Sequence, residues 1–540
     1  MNLQHDIFVP HAPTLRQVKE TGKYLSLLPI QLSNRILHTM NRLQSHYGSN
    51  FIALFLTLFL FPTAHADTQA VDLSGIWHTE IEHTPTLRTA LEFKLQQSED
   101  GSWAGSWEML EMMMAGNITS VHVNEGTIEL IFNPGIAFKG TLSTDGNRLS
   151  GTGTLQGKHS PQIYTREEQW TSRSPARQDK QGKEITSWTY LSPTATDDGW
   201  QTGTLASADI KQDTLDTLLQ KIIGAQYRGL DALLIARGGK LVLEEYFHFG
   251  SQNELRSLQS VTKSITSLLV GSAIDTGNVR SVDQPLKEFF PQYLQSKWIS
   301  NDYPITLKHA LMMAAGLNWT TVTDGVPYSD PSNNTVQLSR AKDMYEYVLS
   351  LDLDEEKPIG KVFEYNSGLS VILGGVIRNA TGMPTDKYAE ETLFRDLNID
   401  NYMWTAISGQ LHTGGGLYLK PRDLLKFGQL VLDKGRWNGR QILSAQWIEE
   451  STDRHLPVMG LESSKQSDMG YGYQWWRETF QVGESPFAAI TANGYGGQFM
   501  WIIPSLNIVV LAMHHNPDDL DDRRTISRGE MQEFILPAAE

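Results

Sequence analysis

Residues 260–274, SVTKSITSLLVGSAI, read as a helix that is apolar on nearly every side, with Gly277 as its C-terminal stop. Such a helix has little face to offer water, so other elements must enclose it from all directions. The flanking sequence supplies them. Residues 232–236 and 240–247 read as strands joined by the turn Arg237-Gly238-Gly239, and residues 498–503 and 507–513 as strands near the end of the chain. Between them lie helical patterns at 307–314, 341–350, 367–380, 421–434 and 444–450, and one at 215–223 precedes them. Strands first, helices in the middle and strands last predict an α+β fold, an antiparallel sheet drawn from both ends of the segment and flanked by helices.

At 540 residues the chain is too long for one ordinary core. Residues 67–170 predict a separate all-β N-terminal domain. Alternating runs at 91–95, 120–123 and 127–132 are broken by Asp100-Gly101, Asn124-Glu125-Gly126 and Asp145-Gly146. A meander closing into a barrel or sandwich is expected, with Trp77, Trp103 and Trp107 filling its core. It carries no catalytic cluster, so packing or substrate guidance is its expected role, and carbohydrate or ligand binding the alternative. Residues 171–205 are polar and predict a linker, leaving 206–540 as the second domain.

Residues 51–61, FIALFLTLFLF, are too few to span a bilayer comfortably. Pro62 and then Ala64-His65-Ala66, a small-x-small cleavage site, follow them, and Arg42 precedes them. Read from Met40, residues up to 66 make a secretory signal peptide cut before Asp67; a buried core helix is the other reading. The first predicts a periplasmic or secreted mature protein with no membrane span. Net charge is −16, and −19 without residues 1–66, which argues against a nucleic-acid partner. The absence of cysteine excludes disulfides, thiolate metal sites and a cysteine nucleophile.

The start of the apolar helix is chemically distinctive. In Ser260-Val261-Thr262-Lys263 the serine and lysine are three apart and share a helix face. A serine hydroxyl needs a nearby base to become a nucleophile. A buried lysine can be that base, because desolvation disfavours its charged form. The helix N-terminus adds a dipole that favours a developing oxyanion. The same spacing recurs at Ser339-Arg340-Ala341-Lys342, in a charged stretch with no apolar helix behind it, so context selects the first. No G-x-S-x-G, H-E-x-x-H, Walker or G-x-G-x-x-G motif occurs. His514-His515 are of a type that binds metal, but an isolated pair reads as surface, and neither metal nor cofactor is expected.

SVTKSITSLLVGSAID resembles the nucleophile helix of the serine β-lactamase and penicillin-binding-protein superfamily, in the branch of class C β-lactamases, carboxylesterases and 6-aminohexanoate-dimer hydrolase. LLIARGGKLVLEEYFHFG, ITLKHALMMAAGLNW and the stretch 414–443 resemble further segments of that family in order, over roughly 230–515. The resemblance implies a β-lactamase/transpeptidase-like fold. It implies Ser260 as nucleophile, Lys263 as its proton partner, and Tyr365 in Tyr365-Asn366-Ser367 as a second proton carrier, with Asn366 and Ser367 beside the substrate. Without it, Tyr365 reads as a core residue ahead of a helix capped by Ser367. The third motif corresponds to Asn493-Gly494-Tyr495-Gly496-Gly497-Gln498. Tyr495 stands there in place of the usual Lys or His, which weighs against substrates held by a carboxylate. Gly496 and Gly497 would let backbone approach the acyl group, and the Gln498 and Ser260 amides would form the oxyanion hole; a plain glycine hairpin is the alternative. Tyr328, Asp330 and Asn334 are further pocket candidates. The function implied is acyl transfer from a small ester or amide through a serine acyl-enzyme. The alternatives are a β-lactamase or DD-peptidase, and a penicillin-binding sensor that acylates without turnover.

Overall fold

The computed structural model describes residues 71–540 except 85–86, 110–113, 125, 134, 156, 168–184, 225–228, 248–249, 322–324, 327–329, 331, 459–468 and 516–527. The expected signal segment 1–66, Tyr328 and residues 171–184 of the expected linker lie outside the described residues.

The first part is β1 (Gly75–Thr84), β2 (Leu87–Gln97), β3 (Trp103–Met109), β4 (Met114–Asn117), β5 (Ser120–Asn124), β6 (Thr127–Asn133), β7 (Ile136–Leu142), β8 (Arg148–Leu155) and β9 (Lys158–Glu167). They form one antiparallel sheet in the order β4-β3-β2-β1-β9-β8-β7-β6-β5. Its two edges meet: Ile118 N–H donates to Gly105 O of β3 at 2.8 Å, and Thr119 N–H to Ile131 O of β6 at 2.7 Å. One stretch of chain thus passes from one edge to the other, and the meander curls into a barrel, which leaves few strand groups unpaired. Trp77, Phe93, Trp107, Phe132, Phe138 and Tyr164 fill it, with Phe93 5.2 Å from Phe132 and 5.1 Å from Tyr164 between ring centroids. Trp103, expected in this core, is only half-buried, because it opens β3 at the barrel's end.

The second part is built on β10 (Gln201–Thr202), β11 (Leu230–Arg237), β12 (Lys240–Tyr246), β13 (Leu456–Pro457), β14 (Gly470–Tyr471), β15 (Trp476–Val482), β16 (Ser485–Gly494), β17 (Gln498–Ile503) and β18 (Ile508–His514). Their order in the sheet is β10-β12-β11-β18-β17-β16-β15-β14-β13. Early strand β11 pairs antiparallel with last strand β18, as the order of patterns predicts. All seven residues of β18 are buried, because both faces of the sheet are covered. Val509, Leu511 and Met513 join the core that holds the central helices, whereas Ile508, Val510 and Ala512 face α1 (Gln212–Ile223) and the C-terminal turns.

The apolar helix, α2 (Val261–Asp275), is buried from Val261 to Ala273 and packs against α3 (Ser367–Thr381) and the sheet. α4 (Pro421–Leu432) lies on β17 and β18. The stretch read as a linker is firmly held where it is described. Arg422 of α4 donates to Thr194 O at 2.8 Å, to Thr196 Oγ1 at 2.7 Å and to Asp198 at 3.0 Å, and pairs with Glu244 of β12 at 2.5 Å. β10 itself falls inside that stretch. Leu73–Glu540 form one compact unit. The barrel's outer face is covered at β2, where Ala90 and Glu92 are buried, and the Glu92 carboxylate acts electrostatically on His515 of the second part.

Candidate active site

Ser260 is the N-cap of α2, and its side chain makes no capping bond, so Oγ is left for other partners. The residue before it, Gln259, has φ 48, an unusual conformation for a residue with a side chain. Strain of this kind collects at functional sites. Lys263, one turn along, is 2% exposed, and its Nζ lies 3.0 Å from Ser260 Oγ. Nζ also donates to the Gly414 carbonyl and lies 5.1 Å from the Tyr365 ring centroid. Burial pushes the Lys263 ammonium from its usual 10.5 down to about 7. Serine, lysine and tyrosine therefore meet, and the amine is poised to exchange a proton near neutrality.

The polar residues of α2 explain how Gly414 reaches Lys263. Thr262 Oγ1 accepts from Leu417 N–H at 3.2 Å, and Thr266 Oγ1 donates to Thr413 O at 2.8 Å. Thr413 Oγ1 donates in turn to Ser370 O of α3 at 2.8 Å. These bonds fasten residues 413–417 alongside α2. Gln474, itself at φ 65, joins three helical segments: it accepts from Ser370 Oγ at 2.6 Å, its carbonyl accepts from Ser264 Oγ at 2.7 Å, and its amide donates to Leu311 O at 2.8 Å.

The residues around Tyr365 divide differently from expectation. Asn366, not Ser367, is the N-cap of α3, its Oδ1 accepting from Leu369 N–H at 3.1 Å. Asn366 is buried with its Oδ1 bonded to the helix, and Ser367 is the first helical residue. A Cβ at Gly414 would lie 3.0 Å from Ser367 O, so this backbone forms the wall behind Lys263. Tyr365 is half-buried and stacks on Trp476 at 5.7 Å, next to Phe363 and Tyr471.

At the third motif, Gly496 and Gly497 take φ 80 and 89 in the turn between β16 and β17. In the same hairpin, backbone comes close to the nucleophile's strand at Gly494, where a Cβ would stand 2.6 Å from Leu258 O and 3.2 Å from Gln259 Cβ. Gln498 pairs with Gly494 across the turn, and α2 packs on both β16 and β17. Its side chain donates to His514 O at 2.5 Å. Tyr495 is half-buried. Asp330 accepts from Ser332 N–H and Oγ–H within its own loop. Asn334 accepts from Thr320 N–H and donates to Tyr347 Oη. Both side chains are thus engaged in holding loops.

The second Ser-x-x-Lys is not a site: helix Asn334–Ser339 ends at its serine, whose Oγ donates to Val336 O, and Lys342 is exposed. His514 and His515, read as surface, are buried at the end of β18. Among the described residues no group of three or more His, Asp or Glu is arranged to hold a metal ion, and no helix is long and apolar enough to cross a membrane. His412 was not anticipated. Its ring lies beside Gly415, where a Cβ would be 3.0 Å from Cε1, and burial, with the nearby Lys263 charge, pushes it down to about 4. The only sequence signal for it was the adjoining glycine triplet 414–416.

Several known proteins resemble this chain. The 6-aminohexanoate-dimer hydrolase of Paenarthrobacter ureafaciens is 26% identical over 305 residues, 53% of this chain and 73% of that protein. Among solved structures, a penicillin-binding-protein homologue from Caulobacter crescentus is 15% identical over 61% of this chain and 99% of its own, with a TM-score of 0.45. EstCE1, a hydrolase with promiscuous acyltransferase activity, is 16% identical over 62% and 98%, with a TM-score of 0.46. The family described as Beta-lactamase matches residues 215–531, from α1 through β18 to the C-terminal turns. That match spans more than half of the sequence, and the chain belongs to the Beta-lactamase family of hydrolases.

Proposed function

We propose that the protein hydrolyses a small ester or amide through an acyl-enzyme on Ser260. The observation that carries this reading is the buried Lys263 amine, 3.0 Å from Ser260 Oγ and with its pKa lowered to about 7. In the neutral state, Lys263, acting with Tyr365, takes the Ser260 proton as Oγ bonds to the substrate carbonyl carbon. The carbonyl electron pair moves to oxygen, where two backbone amides hold it. One is the Ser260 amide. The other is that of Gln498, which pairs across the turn with Gly494, where backbone comes close to Leu258 and Gln259. Collapse expels the alcohol or amine, which receives the stored proton, and a water then releases the acid and restores Ser260.

A small uncharged acyl group fits better than a β-lactam or a peptide carboxylate, because Tyr495 stands at the usual cation position and the aromatic group of Trp476, Phe363 and Tyr471 borders Tyr365. Ser260→Ala is expected to abolish p-nitrophenyl ester hydrolysis while circular dichroism stays unchanged; undiminished turnover would reject the nucleophile. A nitrocefin assay beside an ester and amide panel separates β-lactamase activity from the proposed one, and a burst of one equivalent without turnover would mark a sensor. On the sequence alone we also propose export, with N-terminal sequencing of the mature protein expected to begin at Asp67.

A further inference from the structure

Two adjacent histidines lie outside the proton path, yet both are buried, at 1% and 2% exposure. His514 serves the glycine turn. Its Nδ1–H donates to Gly497 O at 2.7 Å, and its own carbonyl accepts from Gln498 Nε2 at 2.5 Å. The ring is pressed against the turn: a Cβ on Gly497 would lie 2.9 Å from His514 Cβ and Cγ. A peptide unit is planar, so a donor that holds Gly497 O also sets the plane of the peptide joining Gly497 to Gln498. The far end of the same turn is Gly494, where an added Cβ would stand 2.6 Å from Leu258 O, just ahead of the nucleophile.

His515 serves the nucleophile's own strand. Its Nδ1–H donates to Asp231 Oδ1 at 2.5 Å, and its backbone N–H donates to Gly229 O at 2.8 Å. The other Asp231 oxygen pairs with Arg256. Arg256 opens the short run that pairs with Leu417–Leu419 and leads through Gln259 into Ser260. Asp231, Arg256 and His515 are all nearly or fully buried, where charged hydrogen bonds are strong and rigid.

We propose that His514 and His515 are positioning residues, a two-residue brace that holds the Gly494–Gln498 turn in register with Ser260. One histidine fastens the turn and the next fastens the strand that delivers the nucleophile. The inference rests on the reading of Ser260 as nucleophile.

Steady-state ester hydrolysis by the full chain tests it. His514→Ala should lower kcat by about tenfold or more with KM little changed, because a displaced backbone donor is felt mainly in the transition state. His514→Asn, whose amide nitrogen falls near the place of Nδ1 and restores an N–H donor, should recover most of the loss, whereas His514→Leu should not. If the alanine variant does not fold, this last pair, alike in size and different in the donor, carries the comparison alone. His515→Ala should likewise lower kcat more than it raises KM. Unchanged kcat in folded His514→Ala, or equal kcat in the Asn and Leu variants, would overturn the brace. Hydrolysis that survives Ser260→Ala would overturn the nucleophile reading and the brace together, whereas Ser260-dependent turnover indifferent to His514 would overturn the brace alone.

Discussion

At the scale of single residues, the decisive quantity is where the Lys263 proton resides. An exposed lysine is protonated at neutral pH and cannot accept a proton from serine. Burial costs the charged form its hydration and lowers the pKa to about 7. The sign of the pH dependence follows. Below pH 7 the ammonium dominates, and kcat/KM should fall about tenfold per unit; above it the neutral amine dominates, and the rate should level off. A pH–rate series on wild type checks this, and a plateau extending well below pH 6 would contradict Lys263 as the base. His412, held near 4, stays neutral over this range and adds no second charge beside the lysine.

At the scale of elements, α2 shows why a helix labelled apolar still carries threonines. Thr262 and Thr266 bond the 413–417 segment, so its carbonyl at Gly414 meets Lys263. The turn between β16 and β17 depends on glycine for a different reason. At Gly494 space is lacking, since a Cβ would stand 2.6 Å from Leu258 O. Gly494→Ala must therefore push the turn off the nucleophile strand. Overpacking of this kind costs about 1–3 kcal/mol of stability. The expected loss in kcat is larger, about tenfold or more, because misplacement by a fraction of an ångström disrupts reacting geometry. Kinetics alongside a urea melt separate the two effects.

At the scale of the whole molecule, the barrel and the mixed domain are joined through chain that is held in place where it is described. Arg422 is the fastening point, 3% exposed and bonded to Thr194, Thr196, Asp198 and Glu244. Arg422→Ala leaves Glu244 buried without this partner. Removing one member of a buried pair costs about 3–5 kcal/mol. A lowered denaturation midpoint and faster proteolysis within residues 185–200 are the expected results, and an unchanged midpoint would show that the strap carries little load. The central sheet explains why both chain ends of this domain are needed: β11 lies beside β18, so neither half can bury its inner face alone.

Much of this was legible beforehand because it depends on local patterns. The apolar run after Ser260 dictates a buried helix, spacing of three puts serine and lysine on one face, and alternating runs with glycine turns make the barrel's strands. The strands at 456–494 had no such signal, since their sequence is mixed and their pairing partners supply the order. Asn366 rather than Ser367 caps α3, and Trp103 falls outside the barrel core, because caps and burial are decided by neighbours in space. The roles of His412, Gly414, Gln474 and the His514-His515 pair likewise arose only on folding. Each acts on a group far away in sequence, and hydrogen bonds across such distances have no periodicity to betray them.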